Sequence, residues 1–192
     1  EFINRSLHSA GVSLNTIDAV AISKGPGSYT GLRIGVSTAK GLCYALNKPL
    51  ISIGTLKCMA IGMMKIVESD DPNILFCPMI DARRMEVYNA LYDVGLNEIT
   101  LVTAQIIDES SFARILSSHI VYFAGDGAEK CRQLLKFNPN ARFLEHEVVS
   151  AANMAMISRE AYEKNLFDDV AYFEPFYLKD FIPGKSRVKG LH

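Results

Sequence analysis

Two glycine-rich turns hold the residues whose spacing could support chemistry. The first covers residues 25–31 with the sequence GPGSYTG, and the second places one aspartate between two glycines. Backbone amides at the start of a helix can hold an anion, and a serine or threonine hydroxyl can cap the same amides. The first turn is therefore either a direct phosphate site or a structural turn that caps a helix. The candidate residues of an anion-binding loop are Gly25, Gly27, Ser28, Thr30, Gly125, Asp126 and Gly127.

The spacing of the first turn differs from that of the two best-known phosphate loops. A dinucleotide-binding GxGxxG motif that began at Gly25 would need a glycine at position 30, where the chain has threonine. A P-loop would need glycine followed by lysine and then serine or threonine, but the chain offers only Lys40 followed by Gly41, in reversed order. These spacings exclude a dinucleotide-binding or P-loop enzyme.

A second candidate for chemistry is the acidic pair Asp81 and Glu86, which flanks a turn that also contains Arg83 and Arg84. The arrangement could form a catalytic carboxylate pair or a salt-bridged turn. The two acids are an odd number of positions apart, so on a regular strand their side chains would face opposite sides of the sheet. This spacing favours the salt-bridged turn.

A buried strand and a helix must position the first turn. Residues 17–23 have the apolar pattern of a short strand, and residues 31–46 have the pattern of a helix that ends before a proline. A surface helix usually has one apolar stripe, whereas this helix has two. One stripe consists of Leu32, Val36, Ala39, Cys43 and Leu46, and the other of Ile34, Thr38, Gly41, Leu42 and Ala45.

Two interpretations of this helix remain open. Either its own domain encloses it, or it packs on its sheet with one face and on a partner protein with the other. Small residues such as Gly35 and Gly41 would let another backbone approach closely, although glycine inside a helix costs roughly 1 kcal/mol relative to alanine. The second interpretation predicts self-association through this helix and a helix at residues 2–10. The predicted interface residues are Phe2, Leu7, Leu32, Arg33, Val36, Ala39, Lys40, Cys43 and Tyr44.

The alternation of strand and helix patterns predicts an α/β fold in two similar lobes. A cluster of Asp, Pro and Asn at residues 69–73 marks the boundary between them. The predicted units are a first lobe at residues 1–71, a second lobe at 72–170, and a C-terminal segment at 171–192 whose return to the first lobe is left open. The other predicted elements are strands at 50–53, 74–80, 85–93 and 120–124, and helices at 55–68, 108–117, 128–135 and 151–164.

Composition is that of a soluble globular protein, expected in the cytoplasm. The chain has 192 residues, of which 49% are hydrophobic and 21% charged, and a net charge of −1. No apolar run reaches the roughly 18 residues of a spanning helix, so no membrane contact is expected. The four cysteines stand singly among apolar neighbours and are predicted to be reduced core residues. They are Cys43, Cys58, Cys77 and Cys131.

Basic residues are concentrated at the C-terminal end of the chain. Lys179, Lys185, Arg187 and Lys189 stand there against one acid, Asp180. Such a patch could touch RNA phosphates, but a solvated tail is the more common arrangement.

Several motifs carry a resemblance to a known family. GPGSYTGLRIG is followed by AKGL, KPLISIGTL, DARRMEVY, GDGAE and EPFYLKD, in this order along the chain. This series resembles the signature of the bacterial TsaB family, also called YeaZ, which is related to glycoprotease-like proteins and to actin-type ATPases. The resemblance covers essentially the whole chain and implies the two-lobed actin-type (ASKHA, ribonuclease H-like) α/β fold.

The resemblance also bears on cofactors. Members of this family open with a strand pair around an acidic, threonine-rich turn, whereas this chain begins in what looks like the helix that follows. We therefore expect an N-terminally incomplete first lobe with an exposed sheet edge beside residues 17–23. Asp126 resembles the second-lobe turn that faces nucleotide in actin-type ATPases, but the first-lobe acidic turn is needed to complete a metal–phosphate site. No cofactor is expected, and weak ATP or ADP binding is left open.

The histidines give no support to a metallopeptidase. A metal-dependent relative of this family has two histidines at HxxxH spacing on one helical face. Here His8 has asparagine four positions before it and valine four positions after it, His119 and His146 are far apart, and His192 is terminal. We therefore predict no metal site and no catalytic residue.

The function implied by the resemblance is that of a non-catalytic subunit in making N6-threonylcarbamoyladenosine at position 37 of tRNAs that read ANN codons. The implied partners are a TsaD-like catalytic subunit, which this chain would activate, and a TsaE-like ATPase. The chain would form a homodimer when alone and would meet tRNA through the complex. The contrary hypothesis is an independent metallopeptidase or actin-type ATPase.

Overall fold

The computed structural model describes residues 1–146 and 148–179. The first lobe is built on two parallel strands, and three of its helices come from the same stretch of the chain. In chain order these elements are α1 (Phe2–Ala10), β1 (Val20–Gly25), α2 (Tyr29–Leu46), β2 (Leu50–Gly54) and α3 (Thr55–Val67). Parallel strands need a crossover connection, and α2 supplies it by packing against β1.

Two element boundaries in this lobe differ from the sequence prediction. The strand expected at residues 17–23 begins only at Val20, because Leu14–Thr16 form a short 3-10 helix before it. Helix α2 begins at Tyr29, two residues earlier than expected, because Ser28 is its N-cap. The C-terminal end of α2 is as predicted, since Asn47 closes the helix in a left-handed conformation with φ of 51°.

Strand β1 has a free edge. It pairs with β2, and no other strand in the described part of the chain pairs with it. Val20, Ala21 and Ile22 are only half-buried. The exposed edge expected beside residues 17–23 is therefore present.

The second lobe contains a six-stranded sheet. The strands are β3 (Ile74–Asp81), β4 (Glu86–Asn89), β5 (Tyr92–Asp93), β6 (Thr103–Ile106), β7 (Ile120–Ala124) and β8 (Ala141–Phe143). Their order is β6-β4-β3-β7-β8, with β5 also on β3. Its helices are α4 (Ala113–Leu116) and α5 (Asp126–Leu135). The last helix, α6 (Ala155–Glu163), follows a 3-10 turn at Ala151–Met154 and packs on β2 of the first lobe, so the predicted second-lobe range of 72–170 is too long at its C-terminal end.

Strand β3 is the centre of the main core. Its alternate side chains face opposite sides of the sheet, and both sides are covered. Cys77 and Met79 pack in a cluster with Cys131 of α5, whereas Phe76 packs in a second cluster with Met59 of α3. Helix α3 therefore contacts the second sheet as well as the first, and it joins the two lobes.

Local hydrogen bonding overrides the predicted pattern at two places. The helix expected at residues 108–117 is reduced to Ala113–Leu116, because the Asp108 carboxylate accepts the backbone N–H of Ser110 at 2.9 Å and so forms a turn. The strand expected at residues 85–93 is split into β4 and β5 by a break at Ala90 and Leu91.

Other predicted elements were close to their observed positions. Helix α5 begins at Asp126, two residues before the predicted start, and the helix expected at residues 151–164 begins as the 3-10 turn. The short strands β6 and β8 were not predicted. No helix in the described residues is both long and apolar enough to cross a membrane.

All four cysteines are buried and free, as predicted for core residues. Burial raises the pKa of the Cys58 thiol to about 11. The pKa of the Cys77 thiol is also raised, because this side chain lies inside the second-lobe core. A raised pKa keeps the thiol protonated and unreactive at neutral pH.

Candidate functional site

The two glycine-rich turns face each other across a cleft between the lobes. Gly27 and Ser28 line it from the first turn, and Gly125 and Asp126 line it from the second. The cleft has a volume of about 720 Å³. The structure therefore brings together four of the seven residues predicted for an anion loop. The others, Gly25, Thr30 and Gly127, do not line this cleft.

The contacts of the first turn are those of a helix cap. The Ser28 hydroxyl accepts the backbone N–H of Gly31 at 3.3 Å, and the Ser28 carbonyl accepts that of Leu32 at 2.8 Å. Gly25 has φ of 116°, and a Cβ at this position would lie 2.5 Å from the Phe176 carbonyl oxygen. This glycine is therefore needed for the C-terminal segment to pass close to β1. Anion binding at this turn stays a prediction.

The second turn fixes α5 against the end of β3. Gly125 has φ of 99°, and a Cβ there would lie 2.2 Å from the carbonyl oxygen of Met79. One oxygen of the Asp126 carboxylate accepts the backbone N–H of Asp81 at 2.9 Å and that of Gly127 at 2.8 Å. Asp126 thus connects two elements of the second lobe, and anion binding at this turn also stays a prediction.

The charge of the cleft is acidic. Its ionisable lining residues are Asp126, Glu129, Glu145 and His146, and no lysine or arginine of the described chain lines it. Carboxylates that share a cleft with a nucleotide repel its phosphates. On the first-lobe side, the hydroxyls of Ser23 and Thr55 hydrogen bond to each other at 2.5 Å. Arg132 pairs with Glu129 at 2.8 Å and with Glu145 at 3.3 Å, which offsets part of the negative charge. The lining therefore offers a phosphate no lysine or arginine among the described residues.

The carboxylates of the β3–β4 turn are held by lysines from other elements. Lys130 of α5 donates to Asp81 at 2.5 Å and to the Glu86 carbonyl oxygen at 2.8 Å. The Lys130 hydrogen bond lowers the pKa of the Asp81 carboxyl. The Glu86 carboxylate forms an ion pair with Lys179. The contacts support the salt-bridged turn, although Lys130 and Lys179 pair with the acids in place of Arg83 and Arg84.

Sequence reasoning missed both lysines. A signal existed for Lys130, because it lies four residues after Asp126 on α5 and therefore on the same helical face. Lys179 had no such signal, since its pairing with Glu86 depends on the path of the C-terminal segment. Two acidic residues of the cleft were also missed: Glu129 ends the GDGAE motif but was not singled out, and Glu145 lies in no motif.

One of the two apolar stripes of α2 packs against the rest of this chain. Val36, Ala39 and Cys43 are buried, and the last two pack in a cluster with Leu50 of β2. The assignment of these three residues to a partner interface is corrected here, because they are not accessible to a partner. The other stripe is exposed. Ile34 is 63% exposed, and a Cβ on Gly41 would meet no atom within 4 Å.

The remaining apolar residues of the predicted interface differ in exposure. Phe2 of α1 and Tyr44 of α2 are 80% and 86% exposed, while Leu7 and Leu32 are half-buried. Only the first two therefore present a large apolar surface to a partner.

The two basic residues of the predicted interface contact this chain itself. The Arg33 guanidinium lies over the ring of Tyr29, 5.3 Å from its centroid. Lys40 donates to the carbonyl oxygens of Ala171 and Phe173, both at 3.0 Å, and so binds its own C-terminal segment.

The C-terminal segment crosses the first lobe before it reaches the second. Asp168 accepts the backbone N–H of Ser52 at 2.7 Å, and the backbone N–H of Phe176 donates to the Lys24 carbonyl oxygen at 2.7 Å. The ring of Tyr177 lies 5.0 Å from that of Tyr29. The basic residues Lys185, Arg187 and Lys189 lie outside the described residues.

Comparison with known proteins shows where this chain has relatives. Residues 1–185 match the family model described as "TsaD: tRNA N6-adenosine threonylcarbamoyltransferase". The tRNA threonylcarbamoyladenosine biosynthesis protein TsaB of Haemophilus influenzae is 38% identical over 86 residues, which is 45% of this chain and 35% of that protein. The protein of the same name from Escherichia coli K12 is 41% identical over 93 residues, 48% of this chain and 38% of that protein. The aligned part thus spans little more than a third of these relatives.

Solved structures share the fold. One is the crystal structure of an uncharacterised protein with similarity to peptidase YEAZ from Pseudomonas aeruginosa, with a TM-score of 0.75 and 23% identity over 92% of this chain and 81% of that one. YeaZ from Pseudomonas aeruginosa matches with a TM-score of 0.72 and 22% identity over the same shares. The expected actin-type α/β fold is confirmed.

Proposed function

Since this chain belongs to the TsaD family whose model it matches, and within it to the TsaB (YeaZ) proteins, we propose that it is a non-catalytic subunit in the synthesis of threonylcarbamoyladenosine in tRNA. Its partner would be a TsaD-like catalytic subunit, which it would bind and activate. A TsaE-like ATPase would complete the assembly, and the chain would contact tRNA as part of this complex. The modified adenosine would be the one at position 37 of ANN-decoding tRNAs.

The observation that carries this proposal is the division of α2 into a buried and an exposed apolar face. The buried face is anchored on β2, so the helix needs no partner in order to form. The exposed face presents Ile34 and Tyr44 with Gly41 between them along the helix. Small residues flanked by large apolar ones allow a second helix to pack closely. A TsaD-like subunit fits, because it would be a relative of the same fold family and could present a similar helix.

A non-catalytic role is supported by the chemistry of the interlobe cleft. The carboxylates near it are engaged: Asp126 binds backbone amides, and Asp81 and Glu86 bind lysines. The other acids of the cleft, Glu129 and Glu145, pair with Arg132, and no lysine or arginine of the described residues lines the cleft to bind the phosphates of ATP. Single-turnover ATP hydrolysis and peptide cleavage by the purified chain test the contrary hypothesis, and turnover in either assay would overturn a purely accessory role.

The main test is co-elution with the TsaD-like subunit of the same organism. We expect the wild-type chain to co-elute, and Ile34→Glu with Tyr44→Glu to abolish co-elution, because buried unpaired carboxylates are costly at an interface. The matched control is Leu101→Glu with Phe137→Glu, which places the same two charges on second-lobe residues that are 83% and 81% exposed. The control variant should co-elute like wild type.

A second readout connects the interface to function. Threonylcarbamoyladenosine formed by the reconstituted subunits should fall in parallel with co-elution for the α2 variant and stay unchanged for the control. Light scattering of the chain alone should show a homodimer that dissociates in the same variant, because both assemblies would use this face. Retained co-elution of the α2 variant would reject this helix face as the interface.

A further inference from the structure

The tip of the β3–β4 hairpin carries two adjacent arginines in an uncommon backbone conformation. Arg83 and Arg84 have φ of 74° and 52°, in the left-handed region that side chains with a Cβ seldom adopt. The tip is held by hydrogen bonds from the Ala82 N–H to the Glu86 carbonyl at 3.0 Å and from the Glu86 N–H to the Arg83 carbonyl at 3.2 Å. Such conformations persist where surrounding contacts impose them.

The surrounding acids do not neutralise these arginines. The carboxylates nearest in sequence, Asp81 and Glu86, already pair with Lys130 and Lys179. Neither the Arg83 nor the Arg84 guanidinium forms an ion pair or hydrogen bond with any residue that the structure describes, and both side chains are exposed. With Asp126, whose carboxylate accepts the Asp81 N–H, four cations stand against three carboxylates and the cluster has a net charge of +1. We call Arg83, Arg84, Lys130 and Lys179 the basic corner.

A groove of about 540 Å³ lies beside the basic corner. It adjoins the acidic cleft, with which it shares six lining residues, Asp126 among them. Arg83 and Lys179 line the groove together with Tyr29, Tyr88 and Tyr177. Two carboxylates also line it, but Asp81 is paired with Lys130 and Asp126 accepts two backbone N–H groups. Aromatic rings stack on nucleobases, and arginines pair with phosphates through two parallel hydrogen bonds. Cations and aromatic rings in one groove are the combination by which proteins hold unpaired nucleotides.

We propose that the basic corner and its tyrosine-lined groove bind the phosphodiester backbone and an unstacked base of RNA. This inference rests on the proposed function, which brings the chain to tRNA. Arg83 and Arg84 would contact phosphates at the rim, and the groove would take a base. An acidic protein partner would need the cations alone and would leave the tyrosine-lined groove without a role, so RNA is the favoured ligand.

The test compares two double variants within the assembled complex. Arg83→Gln with Arg84→Gln removes the unpaired charges. Arg114→Gln with Arg142→Gln is the matched control, because both residues are exposed and have no ion pair in the described part of the chain. Affinity for a full-length tRNA would be measured by fluorescence anisotropy across a range of salt concentrations, after co-elution with the TsaD-like subunit has been confirmed for each variant.

We expect the tip variant to bind tRNA about tenfold more weakly at low salt, with the slope of log affinity against log salt smaller by about 1 to 2. Arg83→Lys with Arg84→Lys keeps the charge and should restore most of the affinity. The control variant should bind like wild type. Melting temperatures would show that each variant is folded.

The outcomes separate the two proposals. If the wild-type chain does not co-elute with the TsaD-like subunit, the proposed function fails. If the complex forms and the tip variant binds tRNA with unchanged affinity and slope, this inference alone is overturned. Loss of co-elution in the tip variant would identify a protein contact and would also overturn it. So would binding of free AMP or inorganic phosphate as tight as binding of tRNA, because the ligand would then be a small phosphate compound.

Discussion

The two sheets of this molecule are covered to different degrees. In the second lobe, Phe76, Cys77 and Met79 of β3 are fully buried between α3 and α5. In the first lobe, β1 is half-buried over most of its length and has a free edge among the described residues. The second lobe therefore holds most of the apolar burial that stabilises the fold, and the first lobe presents the surfaces that a partner could use.

The first-lobe core is also built differently. Ala39, Cys43 and Leu50 form one buried cluster, against which Val170 and Phe173 pack. A second cluster consists of Ile51, Ile53 and Cys58, against which Ile157 and Ala161 of α6 pack. Both first-lobe clusters depend on segments distant in sequence. One face of the second-lobe sheet is instead covered by α4 and α5 from the same stretch of the chain, and the other face by α3. We therefore expect substitutions in the two lobes to differ in size and in what they disturb.

The largest expected effect is in the second-lobe core. Phe76→Ala removes a fully buried ring and should lower the free energy of unfolding by about 3–5 kcal/mol. Ile22→Ala in β1 removes a half-buried side chain and should cost less than half as much, because part of that surface is already exposed. Urea denaturation monitored by circular dichroism measures both values. Equal losses would contradict the proposed difference between the lobes.

The two faces of α2 should respond in opposite ways to an added leucine side chain. Ala39→Leu overpacks the buried face of α2 and should cost about 1–3 kcal/mol of stability. Gly41→Leu places the same side chain in open space on the exposed face, where replacement of glycine in a helix should raise stability by about 0.5–1 kcal/mol.

Binding should show the reverse order. If the exposed face of α2 is the partner interface, Gly41→Leu should weaken affinity for the TsaD-like subunit by about 5- to 150-fold, because the added side chain prevents close approach. Isothermal titration calorimetry measures this affinity, and thermal melting measures stability on the same preparations. A Gly41→Leu chain that binds normally would place the interface elsewhere.

The same helix shows how far sequence could predict the structure. The extent of α2 was nearly correct, because Ser28 and Asn47 are strong local end signals. Which of its two apolar stripes faces the core could not be predicted, since both have similar composition and only the position of β2 distinguishes them. The predicted interface consequently included Val36, Ala39 and Cys43, which are buried.

The other differences between the predicted and the observed structure also arise from contacts that sequence patterns do not reveal. Asp108 forms a local turn where a helix was expected, because its carboxylate competes for backbone amides. Strands β6 and β8 have only four and three residues, too few for a periodic signal. For the basic corner, the only local signal was the spacing of Asp126 and Lys130 on α5, because no local pattern encodes where Lys179 reaches the hairpin.

The smallest expected effect concerns the charged edge where the second-lobe core ends. The hydrogen bond from Lys130 lowers the pKa of the Asp81 carboxyl, so the folded state favours the carboxylate. The resulting stabilisation of the fold is fully present above the unfolded pKa of about 3.9. It is lost as the pH falls through the lower pKa of the folded state. Asp81→Asn should therefore be less stable than wild type at pH 7 by the ~0.2–1 kcal/mol of a partly exposed ion pair. The substituted side chain keeps an oxygen that can accept the Arg83 N–H, so only the charge is removed.

The pH and the salt concentration then separate charge from hydrogen bonding at this position. The difference between Asp81→Asn and wild type should shrink as the pH falls below about 4, because the aspartate becomes protonated, and it should also shrink in 1 M salt, because salt screens the ion pair. Thermal melting of both proteins across pH and salt measures it. A difference independent of both pH and salt would show that Asp81 acts through hydrogen bonding alone, and that the charge of Lys130 contributes nothing to holding the hairpin on α5.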